Sequence, residues 1–62
     1  MNDYLIMENI TICLDLLNEA SYLLEELYQL EKDNSYNKHK TLVDKLFTDM
    51  LKKYNAYAAK RS

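Results

Sequence analysis

Sixty-two residues with a formal net charge of −2, no glycine, no proline, no tryptophan and one cysteine allow one small domain at most. A chain this short buries only ~60% of its unfolded surface, and such chains add disulfides, a metal or an oligomeric partner. Cys13 has no partner for an internal disulfide and His39 has no second His or Cys at ligand spacing, so oligomerisation is the route that remains.

The small net charge hides a division. Asp3, Glu8, Asp15, Glu19, Glu25, Glu26, Glu31 and Asp33 all precede Asn34, with Lys32 as their only cation. Lys38, Lys40, Lys45, Lys52, Lys53, Lys60 and Arg61 follow it, against Asp44 and Asp49. A negative half joined to a positive half is expected to fold against itself. Asn, Lys, Tyr and Leu abound while Arg occurs once, a composition typical of AT-rich bacterial and phage genomes. The first residues lack the basic n-region of a signal peptide. No window approaches ~18 uninterrupted apolar residues. A cytoplasmic setting with Cys13 as a free thiol is expected.

In chain order, the first element is a helix over about residues 3–32, with Asn2 or Asp3 as its cap. Ile6, Ile10, Cys13, Leu17, Ala20, Leu24 and Leu27 alternate steps of four and three, the signature of a heptad seam. Leu16, Leu23 and Leu30 form a row on one flank, and Met7, Leu14 and Tyr28 line the other. An apolar face this wide fits a four-helix bundle better than a two-helix hairpin alone.

Residues 33–37 are the turn, rich in Asp, Asn and Ser, whose short side chains bond nearby backbone amides. A second helix over about residues 37–60 follows, capped by Ser35 or Asn37, with residues 59–62 expected to fray. Its apolar positions are Leu42, Val43, Leu46, Phe47, Met50, Leu51, Tyr54, Tyr57 and Ala58. Each helix is locally mis-charged. Glu25, Glu26 and Glu31 stand where the first helix's dipole disfavours anions, and Lys38 and Lys40 where the second's disfavours cations. An antiparallel hairpin is expected to repair this by bringing residues 25 and 45, or 31 and 39, level. The first helix is expected to be longer, about 45 Å against about 35 Å. Tyr4, Leu5, Ile6 and Met7 would then overhang and pack on a second copy.

Catalytic signals are absent. His39 stands among lysines with no nucleophile or carboxylate at triad spacing. Glu25 and Glu26 are adjacent and point about 100° apart on a helix. Without glycine there is no phosphate-binding loop. More informative is an acidic line on the first helix, Asp15, Glu19, Tyr22, Glu26 and Gln29, with a tyrosine amid its charges. Tyrosine is enriched among interface hot spots, so Asp15, Glu19, Tyr22 and Glu26 are the candidate docking face for a basic protein, with Tyr4 and Leu5 second. Lys38, Lys45 and Lys52 recur every seven residues and offer the alternative, a stripe for a nucleic-acid backbone. A membrane is excluded as partner, since an acidic amphipathic helix is repelled by anionic lipid.

In length, two-helix layout and short polar turn, the chain resembles the Rop-type plasmid regulators, dimers of helical hairpins that form a four-helix bundle. The resemblance spans the chain and is architectural. In size and acidic first helix it is also similar to the small anti-repressor and co-repressor proteins of Gram-positive bacteria and their phages, which implies binding to a transcription regulator.

The expected protein is therefore a single all-α domain, 1–62. It is a two-helix antiparallel hairpin that dimerises into a four-helix bundle, without enzymatic activity or cofactor. Its expected dimer core is Ile6, Ile10, Cys13, Leu17, Leu24, Leu27, Leu46, Phe47 and Met50.

Overall fold

The computed structural model describes residues 2–61, which form two helices and the turn between them. α1 spans Asp3–Glu31 and α2 spans Ser35–Arg61, 29 and 27 residues long. They run antiparallel in a rod of 45 × 16 × 14 Å, as long as α1 alone at about 1.5 Å per residue. Ser21 Oγ donates to Asp44 Oδ1 at 2.8 Å near mid-length. That bond sets the register: a residue of α1 lies level with the residue of α2 whose number brings the sum to roughly 65.

α1 begins as expected. Asn2 is extended, and its Oδ1 accepts the Leu5 N–H at 3.2 Å, satisfying one of the donors that a helix start leaves unpaired. Asp3 in the first turn suits the dipole. The helix ends at Lys32, which adopts the left-handed conformation (φ 57°, ψ 34°) and donates its N–H to the Tyr28 carbonyl at 2.7 Å. That position usually takes glycine, which this chain lacks.

The turn is shorter than the sequence implies. It occupies residues 32–34, because Asp33 Oδ1 accepts the Ser35 N–H at 2.9 Å and the Asp33 carbonyl accepts the Tyr36 N–H at 3.2 Å. Asp33 thus caps α2, in place of Ser35 or Asn37, and the helix starts two residues early. It also continues through Arg61 rather than fraying at Ala59; the expected fray at Ser62 lies outside the described residues. With nearly equal helices there is no overhang. Ile6 and Met7 are half-buried, and Tyr54 of α2 stands beside Tyr4, Met7 and Glu8.

The two inward rows follow heptad spacing. On α2 they are Tyr36, Lys40, Val43, Phe47, Met50, Tyr54 and Tyr57, on α1 Ile6, Ile10, Leu14, Leu17, Ser21, Leu24 and Tyr28. Cys13 and Leu27, assigned to the seam from the sequence, are exposed, and Leu14 and Tyr28 take their places. Adjacent rows of a helix lie about 100° apart and both satisfy the spacing. The choice between them is made by α2, where Asp44 meets Ser21. Of the other expected core residues, Ile6, Ile10, Leu17, Leu24, Phe47 and Met50 face inward, and Leu46 is exposed.

The interior is slight. Among the described residues only Ile10, 6% exposed, is fully buried. The chain exposes 4875 Å², against about 4,200 Å² for a compact monomer of its mass.

Candidate interaction surfaces

The residue before each inward position of α1 is almost always apolar, and the residue after it almost always polar. Leu5, Cys13, Leu16, Ala20, Leu23 and Leu27 precede, with Asn9 the exception. Thr11, Asp15, Asn18, Tyr22, Glu25 and Gln29 follow, with Met7 the exception. Preceding and following residues project to opposite broad sides of the hairpin, about 100° to either side of the inward row. On α2, Leu42 and Leu46 precede Val43 and Phe47 and fall on the same broad side as the leucines of α1, because a two-fold relates antiparallel helices. The molecule is therefore two-sided along α1, apolar toward one broad face and polar toward the other, whereas α2 adds Leu42 and Leu46 to the apolar face together with Ser35, His39, Asp49 and Lys53.

The apolar face is open. Leu16 is 66% exposed and Leu30 81%, and Leu5, Leu23, Leu27, Leu42 and Leu46 are all exposed. Together these side chains make an exposed apolar patch on the order of several hundred Å². Patches of that size mark interaction sites on small soluble proteins. Sequence reading placed Leu16, Leu23 and Leu30 as one flank of a single wide face. The signal separating the two rows is the polar character of each residue that follows an inward position.

The acidic line occupies the outer edge of α1. Asp15, Glu19, Tyr22 and Glu26 are all exposed there, with Tyr22 at 60%. The Tyr22 hydroxyl donates to Glu26 Oε1 at 3.1 Å. That bond, and then the charge of Glu26, hold the phenol above its ordinary range. The pair is an internal clasp one helical turn apart along one helix edge. A shallow recess beside it is lined by Tyr22, Glu25, Glu26, Gln29 and Leu30. A second, open recess of about 380 Å³ lies between Tyr4, Met7, Glu8, Thr11, Ile12 and Tyr54. Tyr4 and Leu5, paired as a second docking place from the sequence, diverge here: Tyr4 lines this recess and Leu5 lies on the apolar face.

Among the described residues the charge division does not produce ion pairs between the helices. Among the described residues the only ion pair is Lys40 Nζ to Asp44 Oδ2 at 3.4 Å, within α2. The carboxylates near the turn accept from other donors: Glu25 from Gln29 at 3.2 Å, Glu26 from Tyr22, and Glu31 from the Tyr36 hydroxyl. The reason is angular. Only Lys40 of the α2 lysines sits in the inward row, whereas Lys38, Lys45 and Lys52 project from the opposite side and are exposed. They form an outer stripe far from the carboxylates of α1.

His39 is exposed in the first turns of α2 and Cys13 is an exposed thiol on the apolar face. No group of three His, Cys, Asp or Glu that could hold a metal is found among the described residues, and neither helix is long and apolar enough to cross a membrane.

Compared with protein-family models, with curated proteins and with solved structures, the chain matches none.

Proposed function

We propose that this is a non-enzymatic regulatory protein that self-associates through its apolar face and binds another protein with its acidic edge. The most specific version is a bacterial or phage cytoplasmic protein that modulates a transcription regulator. The observation that carries the reading is the two-sidedness of the hairpin: exposed aliphatic side chains along one face, with a single buried residue beneath. Burial at about 25 cal/mol per Å² drives both folding and association, and this chain leaves much of its share uncovered. Once that face is occupied, the outer edge with Asp15, Glu19, Tyr22 and Glu26 stays in solvent. A clasped tyrosine among carboxylates supplies a rigid aromatic surface with negative charge around it, complementary to a basic, DNA-contacting surface.

The experiment is affinity capture from the native host, with wild-type, Tyr22→Ala and Glu26→Lys baits compared in parallel. A protein retained by wild type and lost from both variants, at unchanged solution mass, is the expected outcome. Its binding is then titrated with the purified protein. Capture that ignores both substitutions overturns the acidic edge as the docking surface.

A second reading rests on Lys38, Lys45 and Lys52, exposed at seven-residue intervals and without an ion pair among the described residues. A stripe of that kind can follow a phosphate backbone. RNA or DNA gel shifts that Lys45→Ala and Lys52→Ala abolish would establish it in place of the first.

A further inference from the structure

The exposed row of α1 is close to self-complementary. Its members Leu5, Asn9, Cys13, Leu16, Ala20, Leu23, Leu27 and Leu30 are spaced so that positions equidistant from residue 18 oppose each other, and three of the four pairs join unlike residues. Laid antiparallel on a second copy of itself about that centre, the row sets Leu5 against Leu30, Asn9 against Leu27, Cys13 against Leu23 and Leu16 against Ala20. Each small side chain meets a leucine, which is how facing layers interdigitate. Residue 18 also stands within about one residue of the midpoint of Asp3–Glu31, and in the hairpin register it is level with the middle of α2. The two hairpins would therefore overlap along their whole length of 45 Å.

We infer that α1 packs antiparallel on α1 of a second copy, with the two turns at opposite ends and the two-fold passing near residue 18. The inference rests on the self-association proposed above and adds its partner helix and register. The contrary arrangement lays α1 on α2 of the second copy and brings opposite charges together. Its register puts Leu16 on Asp49, Cys13 on Lys53, Leu5 on Lys60 and Leu30 on Ser35, and only Ala20 and Leu23 meet leucines. Burying a leucine outweighs an exposed ion pair severalfold, so the apolar match decides. On α2 the same register sets Leu42 beside the aliphatic stem of Lys53 and Leu46 beside Asp49 of the second copy, so the apolar match is made by α1.

Cysteine cross-linking tests this. In the inferred register Cys13 faces position 23 of the other copy, whereas positions 13 and 23 of one helix are about 15 Å apart and cannot bond. Leu23→Cys, with Cys13 retained, should give a covalent dimer under mild oxidation with copper–phenanthroline, and wild type should not. Leu23 is exposed, so the substitution spares the hairpin, as circular dichroism would verify. The contrary arrangement is read by Leu16→Cys with Asp49→Cys in a Cys13→Ser background. Covalent dimer from that variant overturns the inference. So does its absence from Leu23→Cys when light scattering of the unoxidised protein reports a dimer. Scattering that reports a single chain removes the self-association itself.

Discussion

Lys32 holds a conformation that costs a residue with a Cβ roughly 1–2 kcal/mol, and it does so at the point where the chain must reverse. Lys32→Gly should therefore raise stability by about 1 kcal/mol or somewhat less, glycine's greater freedom in the unfolded chain taking back part of the gain. Lys32→Ala should bring no gain, because it keeps the Cβ and loses the bond to Gln29 at 3.0 Å and the contact with the Tyr28 ring. Denaturant melts at fixed protein concentration compare the three. Asp33 is the neighbouring determinant. Its carboxylate is held below the ordinary range by the Ser35 backbone N–H first and the Ser35 hydroxyl second. A lowered acid of this kind contributes stability that is fully present above its ordinary value of 3.8 and is lost as pH falls through the lower value reached in the folded chain. Wild type should lose more stability than Asp33→Asn on acidification through that window, and Asp33→Ala should lower the melting temperature at neutral pH by removing the cap of α2.

α1 carries two apolar rows, one turned inward and one exposed, and substitutions should separate their roles. Ile10→Ala empties the one buried position and should destabilise the hairpin by about 2–4 kcal/mol in thermal or chemical melts. Leu30→Ala, at a site 81% exposed, should leave the helicity of the hairpin intact and weaken association instead, visible as a higher dissociation constant in sedimentation. If Leu30→Ala changed stability at high dilution as much as Ile10→Ala does, the division of labour between the rows would be wrong. Much of this layout is legible from residues alone. A first helix over about 3–32 capped by Asn2 or Asp3, and the apolar positions of α2, follow from spacing and composition; the structure ends that helix at Glu31 and takes Asn2 as the cap. The start of α2 does not, because Asp33 competes with Ser35 and Asn37 for the same capping task. Only the backbone path through Lys32 brings the Asp33 carboxylate onto the Ser35 amide.

At the scale of the molecule, the unpaired charge halves give the association a distinctive salt response. With α1 on α1, the carboxylates of both copies share one edge and the lysines of α2 share the other, so like charges face each other weakly through solvent. Added salt screens that repulsion, with a Debye length of about 10 Å at 0.1 M. The dimer should tighten as ionic strength rises, read by sedimentation at several salt concentrations. An assembly held by opposite charges, α1 on α2, would loosen instead. Melting should also depend on protein concentration, since whatever covers the apolar face binds the folded chain alone.

From composition and periodicity alone follow an all-α hairpin, a wide apolar face on its first helix and a division of charge between the halves. Those properties are local or additive, and a chain without glycine or proline has few other ways to arrange them. Which of two neighbouring rows turns inward is a different kind of question, because Cys13 and Leu14, or Leu27 and Tyr28, satisfy the same spacing. The docking of α2 answers it, through Ser21 and Asp44, and in doing so leaves the leucines of the other row in solvent. The lysines likewise could not be assigned partners from charge alone: their angle on α2 turns them outward, and angle is set by packing.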